Sequence, residues 1–292
     1  MVDRIKALFR VLREIVTEYL RDDGPFLAAG IAFYAFFSLF PLALISIAIL
    51  AHILPSDTEA VRVTFELAGK FEVPPDVIQF IGDNFRTLAE DRRRLGMVGL
   101  IMLLWSGRQL FRAMELSLHK AWDIPLRRHF VAGNLLSMLL VLLCAAVTFA
   151  VGLISAFLSW VQVIISRADL PEIAGFSLAE AQVYSFIQTW FVVPGATAMI
   201  FLLLYIILPS RQVPVGYAIP GAFFSAVAWK LSSWIYLRFV VAFGSKSPIY
   251  GSIWGIIGLM IWLYIAASVF LLGAEVVYVG LRDRGATARK RR

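Results

Sequence analysis

The chain has 292 residues, of which 60% are hydrophobic and only 16% are charged. A soluble domain of this length carries about a quarter charged residues, so the composition excludes an ordinary soluble protein and indicates one embedded in a membrane. The net charge of +7 does not by itself indicate a nucleic-acid partner, because Lys and Arg in a multi-pass protein mainly report topology. The single cysteine, Cys144, excludes an intrachain disulfide.

The first predicted element is an amphipathic helix over residues 1–23. Apolar residues recur there at helical spacing, and basic residues stand between them. The basic face suits the anionic cytoplasmic leaflet, where each Lys or Arg contributes about 1 kcal/mol. Packing of this helix beneath the membrane bundle is an equally weighted alternative.

Six apolar stretches follow, each close to the roughly 20 residues that a membrane-crossing helix needs. We predict spans at about 26–54, 95–118, 130–162, 182–208, 215–242 and 249–280. Lys and Arg concentrate in the N-terminal tail, in residues 108–129 and in the basic tail 282–292, which places both termini in the cytoplasm. The predicted fold is therefore an all-α polytopic membrane protein with six transmembrane helices, forming a single membrane domain over residues 1–292.

The polar segment 55–94, between the first two spans, is long for a plain connection. Pro75 and Asp76 are typical of a helix start, and an apolar stripe follows them. We therefore predict short extracytoplasmic helices in this segment. They either cap the bundle or contact an envelope protein partner.

Three prolines, Pro41, Pro194 and Pro220, lie inside predicted spans. Proline removes a backbone hydrogen bond and breaks or kinks a helix. Broken helices within a membrane are tolerated where the backbone lines a cavity or packs inside the protein. The three positions are therefore candidate helix breaks beside a cavity.

Five of the charged residues within the predicted spans form the candidate intramembrane polar site: Arg108, Arg112, Lys230, Arg238 and Glu275. Each costs roughly 2.5 to 3.5 kcal/mol at mid-bilayer, so such residues are candidates for function. At about 1.5 Å per residue, Glu275 falls near the cytoplasmic boundary, at the depth of Arg108 and Arg112. We predict an ion pair between Glu275 and one of these arginines, which either fixes helix register or acts as a gate or coupling site.

Lys230 lies roughly 15 Å out of register with Glu275 on the same count, and Arg238 lies further along the same helix. Two interpretations of Lys230 remain open. Its ammonium group either snorkels or pairs with a polar neighbour, or it lines a cavity that receives an anionic head group.

Several stretches together carry a family resemblance: "AAGIAFYAFFSLFPL", "LLWSGRQLFRAMELSLHKAW", and Pro-Gly-Ala, Tyr-Gly-Ser and Leu-Gly-Ala-Glu, in that order. In these motifs the chain resembles the BrkB/YihY family of bacterial inner-membrane proteins over almost its whole length. The resemblance implies six spans, both termini inside, and location in the bacterial inner membrane. His119 departs from the family pattern, which has Asn before Ala-Trp.

The resemblance supplies no catalytic residue to carry over. Some family members bear the old label ribonuclease BN, generally regarded as a misassignment, and others are associated with virulence or with envelope and lipid transport functions. The residues themselves agree, because the three histidines, His52, His119 and His129, lie at separate span ends without metal-ligand spacing. Neither a Gly-x-Ser-x-Gly elbow nor a phosphate-binding loop is present. We expect no enzyme activity, no catalytic, cofactor-binding or metal site, and no nucleic-acid partner.

The sequence leaves three functional hypotheses. The favoured one is a transporter, or a transport-assisting component, for a lipid or another amphiphilic envelope substrate, with anionic lipid head groups bound at the basic tails. The alternative is a non-transporting scaffold that docks partners through residues 55–94. A membrane-bound ribonuclease is the least supported.

Overall fold

The computed structural model describes residues 2–53, 92–124, 130–167, 186–244 and 251–290. Within these ranges the structure is helical and contains no strand, which confirms the predicted all-α class. A π-helical turn, Gln188–Val192, leads directly into α5. The α-helices in chain order are α1 Val2–Arg21, α2 Gly24–Ile53, α3 Arg92–Ala121, α4 Phe130–Arg167, α5 Val193–Ile207, α6 Val215–Gly244 and α7 Gly251–Lys290.

Four helical segments in the described part of the chain are long and apolar enough to cross a membrane: Gly24–Leu42, Leu135–Val161, Gln188–Ile207 and Gly255–Arg282. They overlap the first, third, fourth and sixth predicted spans. The two other predicted spans, 95–118 and 215–242, also lie in helices, α3 and α6, but these helices do not meet the same criteria of length and apolar composition. The count of six spans therefore stays a prediction. Of the predicted extracytoplasmic segment 55–94, residues 55–91 lie outside the described residues, and residues 92–94 begin α3.

The chain divides into two compact units. The first unit comprises Met1–Asp22, Leu118–Leu231 and Val269–Arg292, and the second comprises Asp23–Ser117 and Ser232–Ser268. The assignment of residues 1–292 to one membrane domain stays a prediction.

The core of the first unit is built on a face of small residues on α6. Ala218, Ala222, Ser225 and Ala226 are buried there. Residues spaced three or four apart share one side of a helix, and small side chains allow a second helix to approach closely. The matching surface of α7 includes Ala274 and the glycine that precedes it.

The second unit shows two different faces on α2. Ala28 and Ala32 are buried, whereas Phe33, Phe37 and Phe40 are exposed and their rings contact one another in a ladder. This arrangement suits a helix that presents aromatic side chains to lipid and small ones to protein.

The three candidate helix breaks lie in different settings. Pro194 is in the first turn of α5, directly after the π-helical turn, so the backbone hydrogen-bond pattern changes at this position. Pro41 and Pro220 lie inside α2 and α6, and both helices continue past them. Pro41 is fully buried, and it lines an apolar groove of about 460 Å³ in the second unit with Phe36, Phe40 and Trp105.

Candidate functional site

The close contact between α6 and α7 in the first unit depends on two glycines, Gly221 and Gly273. A Cβ added at Gly221 would collide with a methyl group of Val277 and lie 2.7 Å from the Gly273 carbonyl oxygen. A Cβ added at Gly273 would collide with the hydroxyl groups of Ser225 and Tyr205. The two helices therefore touch backbone to backbone, at a distance that only glycine permits.

A buried hydroxyl pair joins three helices at this contact. The Tyr205 hydroxyl of α5 donates to the Phe270 carbonyl of α7 at 2.7 Å and lies 2.8 Å from the Ser225 hydroxyl of α6. Because a tyrosine hydroxyl has one proton, the Ser225 hydroxyl is the donor in the second bond. The Tyr205 ring also stacks on the Phe270 ring, with 5.5 Å between centroids. Tyr205 and Ser225 are both fully buried, so this network fixes the register of α5, α6 and α7.

Glu275 lies just over one turn beyond Phe270 on α7 and is 1% exposed. Its Oε2 atom is buried and accepts no hydrogen bond from any residue that the structure describes. The backbone beside it is fixed from another direction, because the Trp122 indole donates to the Ala274 carbonyl at 2.9 Å. Glu275 therefore faces protein rather than lipid, with part of its hydrogen-bonding capacity unused.

Trp122 is positioned by the way α3 ends. Asp123 has a φ of 50°, which is a left-handed conformation, and Asp23, which follows α1 in the same way, has a φ of 56°. The Ile124 amide then donates back to the His119 carbonyl at 2.9 Å, which closes the helix end. This tight ending holds the Trp122 side chain against α7.

A cluster of charged residues surrounds the far end of α7. Arg282 binds Glu14 and also Glu18, the latter at 3.0 Å, and the two glutamates lie one turn apart on α1. The Tyr278 hydroxyl approaches the Asp123 carboxylate at 3.5 Å. These contacts attach the N-terminal helix to α7.

Burial raises the pKa of the Asp22 carboxyl above its ordinary value of 3.8. The carboxylates of Asp123 and Glu18 raise that pKa further, whereas the cations of Arg21 and Lys120 partly offset the effect. The acids at positions 18, 22 and 123 also lie close enough to Glu275 to act on it electrostatically. The region around Glu275 is therefore acidic.

His119, which departs from the family pattern, has a clear structural role. Its Nε2 atom accepts a hydrogen bond from the Ser210 amide at 3.1 Å and lies 3.0 Å from the Ser210 hydroxyl. The contact holds the connection between α5 and α6.

The predicted charged residues are distributed over both units. Glu275 and Lys230 belong to the first unit, where Lys230 is exposed. The three arginines belong to the second unit: Arg108 is half-buried, Arg112 is exposed, and the exposed Arg238 has its guanidinium 5.3 Å from the Trp234 ring centroid. Because Glu275 and its two candidate partners fall in different units, their ion pair stays a prediction.

Sequence reasoning missed three residues of this site, Tyr205, Ser225 and Trp122. The four-residue spacing from Gly221 to Ser225 is a small-residue pattern that could have indicated the α6 contact. No comparable signal marks Tyr205 or Trp122, since their partners are 65 and 152 residues away in the chain. Among the described residues, no group of three or more His, Cys, Asp or Glu side chains is placed to hold a metal ion.

Helices of this length and composition, with a carboxylate enclosed among them, define an integral membrane protein of the α-helical class. A family model described as Virulence factor BrkB matches residues 15–292, and the chain belongs to that family. This assignment confirms the resemblance found in the sequence motifs.

Two relatives are similar to this chain over most of their length. A Bacillus subtilis protein named ribonuclease-like protein YfkH is 28% identical over 91% of this chain and 93% of its own length. A UPF0761 membrane protein of Pseudoalteromonas translucida is 27% identical over 87% of this chain and 81% of its own. No solved structure matches the chain.

Proposed function

We propose that the protein is a transporter, or a component that assists transport, for a lipid or another amphiphilic envelope substrate. The observation that carries the proposal is Glu275, a carboxyl group enclosed in a membrane-crossing helix with one oxygen that no described residue satisfies. Ionisable groups inside membrane spans are costly and commonly mark substrate or ion pathways. Glu275 is the proposed coupling site.

A purely structural role for Glu275 is less well supported. The hydroxyl network of Tyr205, Ser225 and the Phe270 carbonyl already sets the register of three helices. A second polar group would add little to that register, and its burial without a full set of partners costs free energy. Because the burial of Glu275 costs stability, a role in function explains this carboxyl group better than a structural role.

The irregular backbone of the first unit also supports transport. The π-helical turn before Pro194 lies in a membrane-crossing segment, and π turns occur frequently at functional sites. Pro220 lies one residue before Gly221, at the tight contact of α6 with α7. Helices with such interruptions line the substrate sites of many transporters.

The substrate class is proposed from Lys230. It is exposed on α6 beside two exposed apolar side chains, Val227 and Leu231. A cation next to an apolar surface suits a molecule that has an anionic head and an apolar tail. A phospholipid with an acidic head group has both features.

The proposal is tested with purified protein in proteoliposomes. Movement of fluorescent phosphatidylglycerol between leaflets is followed by quenching with an external reductant, and fluorescent phosphatidylcholine serves as the neutral comparison. We expect Glu275→Gln to slow the movement at least tenfold and Lys230→Ala to reduce the preference for the anionic lipid.

The matched control is Ser137→Ala. Ser137 is also buried in a membrane-crossing helix, but among the described residues its hydroxyl bonds only to the Gly133 carbonyl of its own helix, at 3.0 Å. This variant should move lipid at the unmodified rate. If the unmodified protein moves neither lipid, or if Glu275→Gln works as well as the Ser137 variant, the proposal is wrong.

We also propose that the chain is not a ribonuclease, although one relative carries a ribonuclease-like name. The His119 and Ser210 side chains have the separation of a base and a nucleophile, but the lone pair of His119 Nε2 already accepts the Ser210 amide proton. If the purified protein cleaves RNA and His119→Ala abolishes the cleavage, this second proposal is wrong. The transport proposal would still be decided by the proteoliposome assay.

A further inference from the structure

Helix α1 has two apolar faces, and protein covers only one of them. Ile15 and Tyr19 are 3% and 8% exposed. Leu12, Val16 and Leu20, spaced four residues apart, are 38%, 49% and 59% exposed. At 100° per residue these three positions form a stripe beside the buried one. A row of large apolar side chains is therefore left uncovered on a helix that lies outside the candidate membrane spans.

The charged residue beside the uncovered stripe and the acidic residues on the opposite side of the helix have opposite signs. Arg13 is exposed and lies about 20° beyond Leu20 at 100° per residue, so it borders the stripe on the side away from Ile15, whereas Arg21 lies further round the helix with its guanidinium 3.8 Å from the Glu18 carboxylate. The acids of α1, Glu14 and Glu18, lie on the opposite side of the helix and are bound by the guanidinium of α7. The exposed charge next to the stripe is basic.

The contacts with Arg282 also fix the rotation of α1 about its axis. With Glu14 and Glu18 held and Ile15 and Tyr19 packed inward, the helix cannot turn its second apolar face toward the protein. The stripe is therefore left uncovered by the residues that the structure describes. An apolar row with a basic residue at its border is the pattern of helices that lie in the interface of an anionic membrane.

We propose that α1 lies in the membrane interface, with Leu12, Val16 and Leu20 inserted below the head groups and Arg13 bound to anionic lipid. This inference is independent of transport, because it concerns a surface that Glu275 does not form. It joins the two alternatives that the sequence left open, since one face packs on the protein while the other enters lipid.

The test places a polarity-sensitive fluorophore on either face of α1. Cys144 is replaced by alanine, and Val16→Cys or Thr17→Cys is labelled in the full chain. Thr17 is the matched control, because it is exposed and lies on the polar side of the helix. The labelled proteins are placed in nanodiscs of phosphatidylglycerol that contain lipids spin-labelled at a shallow acyl position.

We expect the spin-labelled lipid to quench the fluorophore at position 16 at least threefold more than the one at position 17. If Val16→Cys folds poorly, Leu20→Cys, on the same stripe, takes its place and should show the same excess quenching over position 17. Changing Arg13 to glutamine should reduce the quenching at position 16 in anionic nanodiscs and leave it unchanged in phosphatidylcholine. Equal quenching at 16 and 17, or cross-linking of position 16 to a second copy of the chain, would overturn the proposal.

Discussion

Gly273→Ala is the sharpest test of the packing in the first unit. The added Cβ would collide with the hydroxyls of Tyr205 and Ser225 and would lie 3.1 Å from the Gly221 carbonyl oxygen. None of these atoms can move easily. The tyrosine hydroxyl is fixed by its bond to the Phe270 carbonyl, and the glycine oxygen belongs to a helix backbone.

The size of the effect follows from three contributions. Inserting a carbon into a well-packed interior costs about 1 to 3 kcal/mol. Breaking the bond between the Tyr205 and Ser225 hydroxyls costs about 1 kcal/mol more. Alanine gains about 1 kcal/mol over glycine in helix propensity, which offsets that loss. We therefore expect the free energy of unfolding to fall by about 1 to 3 kcal/mol.

Thermal unfolding of the purified protein in detergent measures the change. Gly216→Ala on α6 is the matched control, because a Cβ there meets nothing within 4 Å. That variant should unfold at the unmodified temperature or slightly above it, whereas Gly273→Ala should unfold several degrees lower. Equal melting temperatures for the two variants would refute the close approach of α6 and α7.

Three further changes test other contacts of the first unit. Tyr205→Phe keeps the ring but removes the hydroxyl bonded to Phe270, and we expect a loss of about 1 to 3 kcal/mol in thermal unfolding. Arg282→Gln should release α1, seen as faster hydrogen exchange of its amides. Asp22→Asn should raise the melting temperature at pH 7, because the folded state raises the pKa of Asp22 and ionisation there costs stability.

The sign of the Asp22 effect determines its pH range. A carboxyl whose pKa is raised on folding binds its proton more tightly in the folded state, so stability falls as the pH rises above the unfolded value of 3.8. The gain from Asp22→Asn should therefore be present at pH 7 and vanish near pH 4. A gain that is the same at both pH values would contradict this account. Unchanged exchange in Arg282→Gln, or an unchanged melting temperature in Tyr205→Phe, would contradict the other two.

The sequence allowed the helices and the membrane class to be predicted, because long apolar runs have few alternatives in lipid. The hydrogen-bond partners of individual polar side chains could not be predicted in this way. Tyr205 and Trp122 donate to carbonyls of α7, and any helix offers such carbonyls along its whole length. Only the packed structure decides which carbonyl lies within reach.

Helix α1 shows where periodicity alone is insufficient. The pattern indicated an amphipathic helix, and the sequence left lipid and protein as alternatives. Ile15 and Tyr19 are covered by protein, whereas Val16 and Leu20 are not. The division depends on the salt bridges of Arg282, whose partners lie 264 and 268 residues earlier in the chain.

The π-helical turn Gln188–Val192 determines the relative directions, around the helix axis, of two contacts made by one membrane segment. Gln188 donates to the Ser155 hydroxyl of α4 at 3.1 Å, and Tyr205 further along meets α6 and α7. A π turn contains one more residue than an α turn, which rotates everything on one side of it by about 100°. Deleting one residue here would leave a continuous α-helix able to keep only one of the two contacts. The extra residue therefore allows a single helix to face two neighbours that a regular helix could not satisfy together.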